Sequence, residues 1–356
     1  MVKFSEWLGT HRDAAPTTHA RIRTAMKRIP NVLDTELVAC QKTLEQKISE
    51  QGPKPQRVDP HLISLARKEL TNHRRTIKHY THASTGDIQW YTNTRAEDGK
   101  VLAKLNTVAP LYREITSQPF KKVVGDALEV ITYKCLLNLK NRERRFAFHG
   151  SFDLSAPKLQ GCFKKTEPTQ NISGSTTEKR ADFILFGHNS GPICIECKNY
   201  REWIYPHHHA IKELIQKSLE LGAIPLLIAR RLHYTTLTNF LQPAGILAHE
   251  SYFQYYPSDK AEIANRVKDK RSLGFTDVLA TEEPHERTSK FFNELLPRIN
   301  EPAADKFSRN KEALQAFVDD EINLAQLYNA IGSPAAGNWV EAEERAEEQP
   351  EHDLEF

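Results

Sequence analysis

No apolar run in this 356-residue chain approaches the roughly 20 residues that a membrane-crossing helix needs, and the opening Met1-Val2-Lys3-Phe4-Ser5-Glu6 has no signal-peptide pattern. Cysteine is scarce. Cys40, Cys135, Cys162, Cys194 and Cys197 are odd in number and lack the spacing of a disulfide framework, which suits a reducing compartment better than a secreted scaffold. No internal repeat is visible. These absences lead us to expect a cytoplasmic globular protein, and a 39% apolar content is enough to bury at least one real core.

Net charge is also small, at +3, but the average conceals a segregation. Residues 341–356 hold eight acidic side chains against the single Arg345, so the rest of the chain carries +10. Most of that surplus lies between Pro53 and Lys165, where 21 Lys or Arg face 10 Asp or Glu. A solvated basic face gives such a count; so does a surface built for a polyanion, and clustering favours the second.

Along the chain, residues 1–52 read as an N-terminal helical region, with Ile22, Met26, Ile29, Leu33, Leu37 and Leu44 at helical spacing and Pro30 interrupting them. Gln51-Gly52-Pro53-Lys54-Pro55-Gln56 has the composition of a linker. In 53–115, Asp59-Pro60 opens a helix carrying Leu62, Ile63, Leu65, Ala66 and Leu70. The following run, with Ile77 and Tyr80 as anchors, resembles the second helix of a helix-turn-helix. That reading projects His73, Arg74, Arg75 and Lys78 outward as a recognition helix requires, and makes Ile88–Thr94 and Val101–Leu105 the strands of a wing. An ordinary helical pair with a hairpin uses the same pattern. Residues 116–260 then alternate: helix Phe120–Leu139, strand Arg145–Leu154, a long polar loop 155–180, strands Ala181–Phe186 and Pro192–Lys198, helix His208–Leu221, strand Ile224–Ala229, a short helix and strand Gly245–His249. This predicts a mixed α/β core with a central sheet flanked by helices. A helical region at 261–335 and an acidic, disordered tail at 336–356 complete the expected organisation.

The chemistry concentrates in Ile193-Cys194-Ile195-Glu196-Cys197-Lys198. Strand alternation puts Glu196 and Lys198 on one face and Ile195 and Cys197 on the other. So apolar a strand belongs inside a sheet, where an unpartnered carboxylate is costly, so Glu196 needs a cation or another partner. The preceding strand begins Ala181-Asp182-Phe183-Ile184, and a hairpin brings Asp182 beside Glu196. Two carboxylates at adjacent strand ends make an oxygen-rich place suited to Mg2+ or Mn2+.

Asp182 followed by Glu196-Cys197-Lys198 resembles the motif of the PD-(D/E)XK nuclease superfamily, which includes restriction endonucleases and Holliday junction resolvases. Glu129, in Gly125-Asp126-Ala127-Leu128-Glu129-Val130-Ile131, matches the acidic residue that members usually place in the first core helix. The resemblance covers about residues 116–250 and departs at Ala181, where the name-giving proline often stands. It implies a restriction endonuclease-like fold and an Mg2+-dependent endonuclease acting on DNA. Asp182, Glu196 and the Cys197 carbonyl would hold the ion, Glu129 would help place it or a second one, and Lys198 would position or activate the attacking water. Gln216 resembles a glutamine that many members carry near the site, against the plain reading of a solvated helix residue. A duplex cut on both strands implies a homodimer. A DNA-binding protein with a non-catalytic nuclease fold and an RNA-directed enzyme are the alternatives.

Other residues read more plainly. Lys121, Lys122, Lys164 and Lys165 join Arg74 and Arg75 as expected nucleic-acid contacts. Cys194 and Cys197 send their sulfurs to opposite faces of one strand, which excludes a shared zinc without a turn. His207-His208-His209 reads as the start of a helix, Asp126 as an understudy for Glu129 or a first-turn helix acid, and His149 and Asp153 as packing or surface residues.

Overall fold

The computed structural model describes residues 16–51, 58–143, 146–172, 174–187 and 189–335. Most of the expected linker and the whole expected acidic tail lie outside them. Contacts divide the chain into two units. One runs through Lys121 and takes in Glu262–Val278; the other holds Lys122–Ala261 and resumes at Leu279.

In the first unit, helix α1 (Pro16–Glu36) buries Ile22, Ala25, Ile29 and Leu33 against Leu62, Ile63, Ala66 and Leu70 of α2 (Pro60–Asn72). The expected boundary at 52/53 therefore does not separate two cores. Pro30 does not interrupt α1 either: it removes one backbone donor, while the apolar stripe on both sides of it remains packed and its carbonyl accepts from Asn93 Nδ2 at 3.0 Å.

A three-stranded sheet completes this unit, with β1 (Ala39–Cys40) and β2 (Ile77–His82) flanking β3 (Gly86–Asn93), both antiparallel to it. The helix-turn-helix expectation fails here. Ile77–Tyr80 lies in a strand, because Arg75 adopts a left-handed φ of 52° that ends the helical path, and the Thr76 amide turns back to the Leu70 carbonyl at 3.0 Å. Val101–Leu105, expected as a wing strand, lies within helix α3 (Asp98–Thr116), whose buried Val101, Leu105, Val108 and Tyr112 follow helical spacing.

The second unit contains the mixed α/β core. Helix α4 (Gln118–Arg142) leads into β4 (Ala147–His149) and β5 (Ser151–Asp153), two short strands where one was expected. The break is Gly150, whose φ of 95° turns the chain. The polar loop is partly structured: β6 (Lys164–Thr166) pairs with β5, and β7 (Asn171–Ile172) with β8 (Ser175–Thr176). Then come β9 (Phe183–Phe186), β10 (Ile193–Lys198), helix α5 (His209–Leu221), β11 (Ile224–Ala229), β12 (Leu247–Glu250) and β13 (Gln254–Tyr256).

Five of these strands form a sheet in the order β12-β11-β10-β9-β4, parallel from β10 to β12 and antiparallel from β10 to β4. Buried on both faces, β10 and β11 read as near-continuous apolar runs. Ile193, Ile195, Cys197, Leu226 and Ile228 pack towards Leu128, Ile131 and Cys135 of α4. Cys194, Leu227 and Ala229 pack towards Ile211, Leu214 and Ile215 of α5, together with Leu314 and Phe317 of helix α6 (Lys311–Val318). The sheet is thus sandwiched between helices, and both cysteines of Cys194-Ile195-Glu196-Cys197 lie buried in different cores. No helix among the described residues is long and apolar enough to cross a membrane.

Candidate active site

The hairpin register places Phe183 opposite Ile195, so Asp182 stands just beyond the last pair, level with Glu196. Two hydrogen bonds fix it: its amide donates to the Ile195 carbonyl at 3.0 Å, and its Oδ2 accepts from the Cys197 amide at 2.7 Å. Gly150 makes this approach feasible. A Cβ there would lie 2.7 Å from the Asp182 carbonyl and 2.8 Å from the Phe183 ring. Downstream, Asn199 Nδ2 donates to the Val124 carbonyl of α4 at 2.6 Å and the Tyr255 carbonyl of β13 at 2.7 Å, fastening the end of β10 between them. Buried Arg230 adds a donation from Nε to the Tyr200 carbonyl at 3.2 Å.

Around this strand end, carboxylates and amines interleave. Glu196 is 6% exposed and has one lysine on each oxygen: Lys198 Nζ at 2.7 Å from Oε1 and Lys217 Nζ at 2.5 Å from Oε2. Lys217 reaches it from α5 and also donates to the Arg180 carbonyl at 2.9 Å. Glu129, from α4, approaches from another side and forms an ion pair at 2.8 Å with Lys165 of β6. The same Lys165 amine lies 3.3 Å from Asp182 Oδ1 and 3.4 Å from Glu167. Four carboxylates and three ammonium groups therefore share one site.

Their titration follows from that crowding. Burial, then the charge of Asp182, pushes Glu129 up to about 8, only partly opposed by Lys165. Burial and the charge of Glu196 push Asp182 up to about 6. For Glu196 burial also acts upward, but Lys198 and Lys217 outweigh it and hold its carboxyl below the ordinary range. Lys165 and Lys198 lose solvation on burial, yet their carboxylate partners raise both above the ordinary lysine value. Two buried carboxyls, Glu129 and Asp182, that resist ionisation beside an ionised Glu196 make a place that a hard cation suits.

The structure thus brings together Glu129, Asp182, Glu196, Lys198 and the Cys197 backbone. Gln216 is a correction. Its Nε2 donates to Glu220 one turn on, at 2.9 Å, and its neighbour Lys217 takes the inward-facing position on α5. Lys165 is a second correction: strand alternation leaves Lys164 exposed and turns Lys165 into the carboxylate cluster rather than out to a phosphate. Lys217 was missed entirely, although a lysine among the apolar positions Leu214, Ile215 and Leu219 was its visible signal.

The remaining residues sort simply. His208 caps α5, its Nδ1 accepting from the Ala210 amide at 3.2 Å, and burial followed by the charge of His209 lowers its pKa to about 4. His149 is exposed and packs on Phe186, and Asp153 caps the turn at Ser155. Of the expected nucleic-acid residues, His73, Arg74, Arg75, Lys122 and Lys164 are exposed and Lys121 is half-buried. Arg74 pairs with Glu69 at 3.5 Å. Lys78 is engaged by Asp98 at 2.6 Å, which takes it out of any freely projecting row. No family model, curated protein or solved structure matches this chain.

Proposed function

We propose that this chain is a metal-dependent nuclease that hydrolyses DNA phosphodiester bonds from a restriction endonuclease-like core. The reading is carried by one observation: Glu129 from a helix, Asp182 and Glu196 from adjacent strands and the Lys198 amine converge at one end of a buried sheet. The resemblance of Asp182 and Glu196-Cys197-Lys198 to the PD-(D/E)XK motif points the same way.

The donor set fits Mg2+ or Mn2+. Its side-chain ligands are hard carboxylate oxygens, and Glu129 and Asp182 already recruit a cation in the form of the Lys165 ammonium. Asp182, Glu196 and the Cys197 carbonyl would hold the ion, with Glu129 alongside. Bound there, it supplies a water of lowered pKa and offsets the charge that builds on the phosphoryl oxygens. Lys198, steadied by Glu196 at 2.7 Å, orients the attacking water and favours its deprotonated form. Glu196 is in turn held by Lys217, and the Asn199 clamp keeps the strand end from shifting under the substrate. Exposed His73, Arg74, Arg75, Lys122 and Lys164, with half-buried Lys121, contribute salt-dependent attraction for the phosphate backbone. Two copies of the chain would cut both strands.

The test is incubation of supercoiled and linear DNA with the purified chain in Mg2+, Mn2+ or EDTA, beside Asp182→Ala. Cutting that needs the metal and disappears in the variant supports the nuclease. A second reading, a DNA-binding protein on a non-catalytic nuclease fold, is favoured by the lysines that already pair with Glu129, Asp182 and Glu196. Tight DNA binding with no cutting in any metal would establish that reading instead.

A further inference from the structure

We propose that Lys165 is a displaceable counter-cation: its ammonium holds the carboxylate site in the metal-free protein, and a divalent ion must expel it to bind. This rests on the metal-dependent reading given above and adds a competitor built into the chain.

The three lysines of the site are not equivalent. Lys198 and Lys217 each occupy one oxygen of Glu196, and Lys217 is further tied to the Arg180 carbonyl and only 3% exposed. Lys165 instead bridges side chains that come from separate elements, Glu129 of α4 and Asp182 before β9. Asp182 Oδ2 already accepts from the Cys197 amide at 2.7 Å, so the oxygen with more acceptor capacity left for a metal is Oδ1, the one that faces Lys165. A Mg2+ or Mn2+ ion sits about 2.1 Å from its oxygens, and an ammonium sharing both Oδ1 and Glu129 with it would be a like charge within a few ångströms. One of the two has to leave.

Lys165 is the side chain equipped to go. It belongs to a three-residue strand whose partner is the equally short β5, whereas Lys198, with a similar exposure of 17% against 20%, sits on the six-residue central strand β10, and Lys217 is only 3% exposed. Glu167, two residues on and 3.4 Å from the amine, is itself more exposed and offers a carboxylate towards the solvent side to receive it. The formal charge of the cluster argues likewise. With all four carboxylates ionised, as metal ligation requires, Glu129, Glu167, Asp182 and Glu196 against three lysines leave a single negative charge, which a divalent ion would overshoot unless an ammonium withdraws.

The experiment uses the full chain without DNA and has two readouts. Calorimetric titration with Mn2+ compares wild type, Lys165→Met and Lys165→Arg; acylation of lysine amines, read by mass spectrometry at Lys165, is followed in wild type with and without saturating Mn2+. Displacement predicts that Lys165→Met binds Mn2+ about tenfold tighter, the scale of one close charge pair, while Lys165→Arg does not. It also predicts that Lys165 becomes several-fold more reactive when Mn2+ is bound. Mn2+ binding with Lys165 still protected, or with Lys165→Met no tighter than wild type, overturns the displacement and leaves the metal site standing. Absence of Mn2+ binding in all three folded proteins overturns both. Should Lys165→Met fail to fold, the acylation of wild type decides.

Discussion

At the scale of single residues, the site is a balance of buried charges, and the two directions of pKa shift give it a pH signature. Glu129 ordinarily titrates at 4.5 but at about 8 in the folded chain. The unfolded chain therefore gives up this proton first as the pH rises, and metal-free stability falls from about pH 4.5 to about pH 8, then levels. Asp182 acts in the same sense up to about 6. Glu196, shifted downward, is fully stabilising above its ordinary value and does not oppose this trend, and Lys165 and Lys198 lose their contribution only above 10.5. Buried His208 and His249, lowered to about 4 and about 3, act the other way up to their ordinary 6.5, so the melting temperature in EDTA should decline between pH 6.5 and 8, where Glu129 alone titrates, and Mn2+ should restore most of that loss at pH 8. A melting temperature that climbs through this window in EDTA would show that the carboxylates are not crowded as described. Lys217 gives a second prediction. Lys217→Met leaves one buried oxygen of Glu196 without its partner, at a cost of about 3 kcal/mol in urea denaturation; a loss under about 0.5 kcal/mol, the range of an ordinary surface substitution, would contradict the buried pair. Glu196 and Lys198 could be placed from sequence because strand alternation fixes faces. Lys217 could not, because which residue of a helix faces a given strand end depends on the rotation of α5 about its axis, and a shift of one position separates it from the expected Gln216.

At the scale of elements, the long apolar segments were legible and the short ones were not. Strand Ile224–Ala229 follows from a continuous apolar run, and helix His209–Leu221 from helical periodicity closed by Gly222 as a left-handed C-cap. Strand β6 has three residues, two of them lysines, and no sequence pattern marks it; only pairing with β5 makes it a strand and turns Lys165 inward. The helix-turn-helix expectation erred for a related reason. Ile77 and Tyr80 fit a helix and a strand equally, and the choice was made by pairing with β3 and by the left-handed Arg75. Gly150 is where an element boundary bears directly on the site. Gly150→Ala would combine an unfavourable φ with a Cβ 2.7 Å from the Asp182 carbonyl, a cost of about 3 kcal/mol. Chemical denaturation measures it, and Mn2+ affinity should fall with it as Asp182 is pushed from Glu196. An Ala variant with unchanged stability and affinity would mean that the close approach does not position the carboxylate.

At the scale of the whole molecule, the basic surplus between Pro53 and Lys165 spans the division between the two compact units, which no composition boundary announces. Even with the recognition helix gone, exposed His73, Arg74, Arg75, Lys122 and Lys164 persist as cations or polar groups that a phosphate backbone would meet. If Arg74, Arg75, Lys121, Lys122 and Lys164 each meet a phosphate, affinity for duplex DNA should drop on the order of several hundred-fold as salt rises from about 50 to 200 mM. A flat salt dependence would remove DNA as the polyanion. The most direct measurement is the single-turnover cleavage rate of a panel of DNA substrates in Mg2+ by wild type and Lys198→Ala, with DNA affinity recorded for both. We expect the rate to fall by about 100-fold or more while affinity changes little, as for a group that acts on the reacting water; equal rates in the two proteins, or cutting that survives EDTA, would contradict a metal-dependent nuclease centred on Glu196 and Lys198.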